Sequence, residues 1–106
     1  MTANIPHLDI SESAIADYCQ RWKITKMELF GSVLRDDFRS DSDVDVLVTF
    51  APDSHWTLFD LVDMEDELTK IMGRKVDIVE RHAVEHSRNY IRRKAILGTA
   101  LVIYVN

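Results

Sequence analysis

The chain lacks the features that would fix its fold covalently or carry it through a membrane. Cys19 is the only cysteine in 106 residues, which excludes an internal disulfide and a cysteine-based metal site and fits a reducing compartment. No apolar stretch approaches the roughly 20 residues of a membrane span. The first residues, MTANIPHLDI, lack the basic and apolar regions of a signal peptide. We therefore expect a cytoplasmic protein with no membrane contact.

Glycine and proline are also scarce. Three glycines and two prolines punctuate the chain, and there is no repeat or low-complexity tract, so we expect a single domain over residues 1–106. Hydrophobic residues make up 46% of the chain and charged residues 29%, as in ordinary globular proteins. Because the formal net charge is −5, direct binding to nucleic acid is disfavoured.

Three segments are predicted to be helices, the first two from the apolar periodicity of amphipathic helices. The first carries apolar residues at helical spacing: Ile15, Tyr18, Cys19 and Trp22. The second begins at a capping residue, Thr57, and ends at Gly73. The third covers residues 84–97 and ends at Gly98.

Shorter apolar segments are typical of strands. They are a run of four or five residues before Gly31, and the residues 43–50, 75–80 and 100–105. With a short helix after Gly31, the order is α-β-(short α)-β-α-β-α-β. This order predicts an α/β (α+β) fold, with a small mixed sheet of about four strands and flanking helices.

The strand at 43–50 begins with two aspartates. Asp43 and Asp45 are two residues apart, so their side chains leave the same face of the strand and can converge on a hard cation such as Mg²⁺. Asp77 interrupts a later apolar strand and points away from its neighbours Val76 and Ile78. If the two strands pair in register, three carboxylates meet. Such a set can hold two divalent ions for a phosphoryl or nucleotidyl displacement, assisted by Asp77.

A Gly-Ser turn precedes the aspartates. Gly31 allows the backbone to approach a ligand closely. A short helix that begins at Ser32 would direct free N–H groups and its positive dipole end at a phosphate. Arg35, one turn later, could reach the same phosphate with its guanidinium.

The segment GSVLRDDFRSDSDVD, a Gly-Ser pair followed after ten residues by Asp-x-Asp, resembles the signature of the DNA polymerase beta-like nucleotidyltransferase superfamily. Asp77 in VDIV resembles the third carboxylate of that superfamily. The resemblance covers nearly the whole chain and is greatest to the minimal nucleotidyltransferases (MNT). It implies the polymerase beta-like fold.

The same resemblance implies roles for individual residues. Gly31 and Ser32 would bind phosphate, and Arg35 matches an arginine often found after the Gly-Ser pair. Asp43 and Asp45 would bind metal, with Asp77 as the third ligand or the base.

The resemblance also implies a function. Many members of this family are antitoxins paired with a HEPN-domain ribonuclease toxin, and they transfer AMP from ATP to a tyrosine hydroxyl of that toxin. Two alternatives remain at this point. One is an antitoxin that acts by binding alone. The other is a transferase that modifies a small molecule such as an aminoglycoside.

A basic run at residues 92–94, with further basic residues upstream, has two interpretations. It could bind the phosphates of the nucleotide or an acidic partner, but a solvated helix face is the commoner explanation for such a run. His82 and His86 are spaced i and i+4, yet the sequence offers them no further zinc ligand.

Overall fold

The computed structural model describes residues 11–31 and 43–106 of the chain. Four strands form one sheet in the order β3-β2-β1-β4. The strands are β1 (Ile24–Phe30), β2 (Val44–Phe50), β3 (Val76–Glu80) and β4 (Leu101–Val105). β1 is antiparallel to both β2 and β4, whereas β2 and β3 are parallel. The prediction of a mixed four-stranded sheet is therefore confirmed, although β1 is longer than the four or five residues expected.

Two helices, α1 (Glu12–Arg21) and α2 (Leu58–Met72), cover one face of the sheet. Each begins at a capping side chain, because Ser11 accepts a hydrogen bond from the Ala14 amide and Thr57 forms a capping box with Asp60. α2 ends at Gly73, which adopts the left-handed conformation that favours glycine.

The main core lies between these helices and the sheet. Tyr18 of α1 is fully buried, and its hydroxyl donates a hydrogen bond of 3.0 Å to the carbonyl oxygen of Met64 in α2. The strands contribute alternate residues, so Val44, Val46 and Val48 of β2 all face this layer. Asp45 and Leu47 consequently face the other side of the sheet.

Two further helices, α3 (Arg81–Glu85) and α4 (Tyr90–Thr99), cover part of that other face. Val84 and Ile96 pack there against Phe30 and Leu47. The prediction of one continuous helix over 84–97, ending at Gly98, is wrong. The helix stops after Glu85, and a new one begins where Asn89 caps the Arg92 amide at 3.0 Å and continues through Gly98 to Thr99.

The predicted short helix from Ser32 lies outside the described residues. Within the described part of the chain, no helix is long and apolar enough to cross a membrane.

Candidate active site

Two of the predicted aspartates are direct neighbours across the sheet. Asp45 of β2 and Asp77 of β3 are register partners in the parallel pair, so their side chains leave the same face side by side. Asp45 is part-buried and Asp77 is exposed. The in-register pairing, which was the condition for these two carboxylates to meet, is therefore fulfilled.

Asp43 is less closely associated with this pair. It is exposed and directly precedes β2, two residues before Asp45 and therefore on the same face. Its negative charge still acts on Asp45. Burial raises the pKa of the Asp45 carboxyl, and the charges of Asp77 and Asp43 raise that pKa further.

Gly31 lies against the Asp45 carboxylate. It follows Phe30, the register partner of Asp45, and has a φ of 79°. A Cβ atom at this position would overlap Oδ2 of Asp45. Two features therefore favour glycine at position 31: the left-handed backbone conformation and the close approach of the Asp45 carboxylate. Ser32 and Arg35, the other predicted phosphate ligands, lie outside the described residues.

The aspartate pair opens into a cleft of about 570 Å³. Gly31, Asp45 and Asp77 line one side of it. On the other side, α4 contributes one helical stripe: Arg92, Ala95, Ile96 and Thr99.

Arg92 is the only positively charged residue among the described residues that line this cleft. Its charge lowers the pKa of Asp45, against the larger effects of burial and of Asp77. From the sequence, Arg92 was one of a basic run best explained as a solvated face. The spacing of Arg92 to Ile96, one turn apart, was the signal that could have identified it as a cleft residue.

The donor set suits a hard divalent cation. Carboxylate oxygens are the ligands that Mg²⁺ prefers. The neighbouring negative charges that help raise the pKa of Asp45 would equally attract a cation to this position. Within residues 11–31 and 43–106, no three His, Cys, Asp or Glu side chains are already drawn together as a metal group. The Asp45–Asp77 pair is therefore the part of the predicted carboxylate triad that the fold assembles.

Residues 12–99 match the family model described as a nucleotidyltransferase domain. The chain belongs to this family.

Two curated relatives of this nucleotidyltransferase carry more specific names. MJ0128 of Methanocaldococcus jannaschii, provisionally named a protein adenylyltransferase, is 31% identical over 74 residues, which are 70% of this chain and 71% of the relative. Protein adenylyltransferase MntA of Thermococcus cleftensis is 30% identical over 66 residues, 62% of this chain and 65% of the relative. The matches thus span about two thirds of the length of these relatives.

Solved structures share the fold. A provisionally named minimal nucleotidyltransferase has a TM-score of 0.64 at 31% identity, covering 85% of this chain and 86% of that one. A toxin–antitoxin complex with AMP-PNP has a TM-score of 0.68 at 17% identity, covering 92% and 75%. A complex of the tri-AMPylated Shewanella oneidensis HEPN toxin with its MNT antitoxin has a TM-score of 0.59 at 18% identity, covering 90% and 70%.

Proposed function

We propose that this chain is an Mg²⁺-dependent protein adenylyltransferase that acts in the cytoplasm as an antitoxin. It transfers AMP from ATP to a tyrosine hydroxyl of a HEPN-type toxin. The observation that carries the proposal is the in-register pair Asp45 and Asp77, which opens into a cleft beside Gly31. The names of the two adenylyltransferase relatives and the AMPylated HEPN toxin in a complex of the same fold support the choice of donor and acceptor.

The reaction exchanges one bond to the α-phosphorus of ATP for another. The acceptor oxygen forms a bond to that phosphorus, and the bond from the phosphorus to the bridging oxygen breaks, so pyrophosphate leaves. The proton of the acceptor hydroxyl must go to a base within hydrogen-bond reach. Asp77 is the better candidate of the two paired carboxylates, because it is exposed whereas Asp45 is part-buried against Gly31.

Asp45 and Asp77, with Asp43 beside them, are the residues that would hold the divalent ions. When bound, such ions neutralise triphosphate charge and lower the pKa of the attacking hydroxyl. The adjacent strands β2 and β3 fix the positions of the Asp45 and Asp77 carboxylates, and Asp43 directly precedes β2.

Arg92 supplies positive charge to a cleft that the aspartates otherwise make negative. It faces the aspartates from α4 across the cleft. A guanidinium there can donate charge-assisted hydrogen bonds to a phosphate of ATP and stabilise the charge that develops on pyrophosphate as it leaves. Ser32 and Arg35, which lie outside the described residues, are proposed as further phosphate ligands on the basis of the sequence.

The test is AMP transfer to a purified HEPN-domain toxin, with ATP and Mg²⁺, followed by mass spectrometry of the tyrosines of the toxin. Asp45→Asn and Asp77→Asn should each reduce transfer by about 100-fold or more, as expected when a group that stabilises transition-state charge is lost. Asp53→Asn is the matched control, because Asp53 is exposed, pairs with Lys23 at 3.3 Å and does not line the cleft, so transfer should be unchanged.

Toxin-binding and cell-protection assays separate catalysis from neutralisation by binding alone. If the Asp43→Ala, Asp45→Ala double variant still binds the toxin and still protects cells from it, the carboxylates are dispensable and the proposed transfer is not the mechanism. Loss of protection with retained binding supports transfer.

A further inference from the structure

The start of α4 forms an exposed surface next to the cleft. Tyr90 is 60% exposed and Ile91 80% exposed, and both lie in the first turn of the helix. Ile91 is one turn before Ala95, which lines the cleft, so the two residues share one side of the helix. The surface is therefore continuous with the proposed active site.

The charge of this segment is opposite to that of the chain. Residues 86–94 contain three arginines and one lysine and no acidic residue, whereas the formal net charge of the protein is −5. Arg88 and Lys94 are both exposed, and they flank the two apolar residues in the sequence. We call Arg88, Tyr90, Ile91 and Lys94 the α4 platform.

Hydrogen bonds hold the platform in place before any partner arrives. The side-chain oxygen of Asn89 caps the helix by accepting a hydrogen bond from the Arg92 backbone N–H. The backbone N–H of Asn89 donates to Oγ of Ser87 at 3.2 Å. Arg93 donates to the Ser87 carbonyl oxygen at 3.1 Å, and its guanidinium carbon lies 5.5 Å from the centre of the Tyr90 ring. Because the backbone of this segment is already hydrogen-bonded, binding carries no entropic cost for ordering a loop, although the exposed platform side chains still lose rotamer freedom.

We propose that the α4 platform binds the acceptor protein through an acidic segment next to the hydroxyl that receives AMP. This inference rests on the proposed function and names the chemistry of its substrate. Basic residues beside the cleft attract acidic side chains of the partner, and Ile91 and Tyr90 provide the apolar contact typical of the centre of a protein interface.

Two other occupants fit the surface less well. A second copy of this chain would bring the basic platforms of the two copies together if it paired symmetrically, and like charges repel. A nucleic acid would make little use of the exposed apolar side chain of Ile91, and the net charge of −5 disfavours binding of a long polyanion. An acidic protein segment satisfies both the charge and the apolar contact.

The test uses three synthetic peptides of equal length, each with one tyrosine flanked by acidic, neutral or basic residues. With ATP and Mg²⁺, kcat/KM for AMP transfer should be about three- to tenfold higher for the acidic peptide than for the neutral one, from a few surface ion pairs. The basic peptide should be poorest. Higher salt should reduce the preference.

Variants locate the effect on the platform. Arg88→Glu with Lys94→Glu should remove or reverse the preference for the acidic peptide. The control pair, Lys23→Glu with Lys70→Glu, makes the same change in net charge at exposed sites outside the cleft lining and should keep the preference. An unchanged preference in the platform variant would overturn the inference.

The apolar part has its own matched pair. Ile91→Ser should reduce kcat/KM for the acidic peptide about threefold or more. Phe59→Ser should not, although Phe59 is equally exposed, at 83%, because it lies at the start of α2 on the opposite face of the sheet. Equal effects of the two substitutions would contradict a role for the platform.

Docking can also be measured without transfer. An acidic peptide with phenylalanine in place of tyrosine should bind in a fluorescence anisotropy assay and lose affinity in the Arg88→Glu, Lys94→Glu variant. Such binding without transfer to any peptide would support the platform and count against the proposed activity. Competition by an oligoribonucleotide of equal charge, at equal or lower concentration than the peptide, would instead identify a nucleic-acid site and overturn the inference.

Discussion

Replacing Gly31 by alanine tests the contact on which the candidate site depends. The glycine has a φ of 79°, and a Cβ atom there would overlap Oδ2 of Asp45. Two separate effects are expected. The first is backbone strain, and the second is displacement of the Asp45 carboxylate.

The two effects have different magnitudes. An L-residue in the left-handed region costs about 1–2 kcal/mol. The overlap itself should reduce the free energy of unfolding only slightly further, because the Asp45 carboxylate can rotate about its side-chain bonds and move away from the new Cβ atom. That rotation moves Asp45 away from its place beside Asp77. A shift of about 1 Å in a reacting group can reduce the rate by about 100-fold.

Two other glycines provide controls for Gly31→Ala. Gly73 has nearly the same φ, 72°, but a Cβ atom there meets nothing within 4 Å, so Gly73→Ala has the strain without the overlap. Gly98 lies inside α4 with open space around it, and Gly98→Ala should stabilise the protein by about 0.5–1 kcal/mol.

The assay combines urea unfolding with AMP transfer under conditions where every variant is folded. Gly31→Ala and Gly73→Ala should lose similar amounts of stability, within about 1 kcal/mol of each other. Only Gly31→Ala should lose transfer, by about 100-fold. Full activity in a folded Gly31→Ala variant would refute the claim that this glycine sets the position of Asp45.

Three more predictions concern charges. Asp45→Asn should stabilise the metal-free protein at neutral pH, because the folded-state pKa of Asp45 is raised above its ordinary 3.8 and the ionised carboxylate therefore opposes folding. Urea unfolding at several pH values should show that the gain in unfolding free energy disappears as the pH falls towards and below 3.8. Arg92→Ala should raise KM for ATP about tenfold or more in initial-rate kinetics, whereas Lys70→Ala should not, because Arg92 alone of these faces the cleft. Arg81→Ala should cost about 3 kcal/mol of unfolding free energy, since it leaves Glu28, which is 4% exposed, without its 2.5 Å partner; a cost below about 1 kcal/mol would contradict this.

The carboxylate pair could be predicted from the sequence because strands have a simple period. Asp45 lies out of phase with the valines around it, and Asp77 lies out of phase with Val76 and Ile78, so both must leave the core face. Neighbouring strands then need only the correct register to bring the two carboxylates together. The contact between Gly31 and Asp45 could not be predicted in the same way, since it depends on how far β1 extends before it turns.

The sequence marks the break between α3 and α4 only weakly. Nothing in residues 86–89 is a glycine or proline, the residues that most often interrupt a helix. The available signal was subtler. Ser87 and Asn89 are both residue types that cap helices, and Asn89 does cap α4.

That break determines whether Arg92 can reach the cleft. At about 100° per residue, two positions twelve apart in one helix lie about 120° from each other round its axis. A continuous helix could therefore not direct both Val84 and Ile96 at the sheet, as the structure does. Because α4 is a new helix capped by Asn89, its rotation about its axis is independent of α3, and Ile96 can face the sheet. Arg92, one turn earlier, then shares the side of Ile96 and enters the cleft opposite the aspartates.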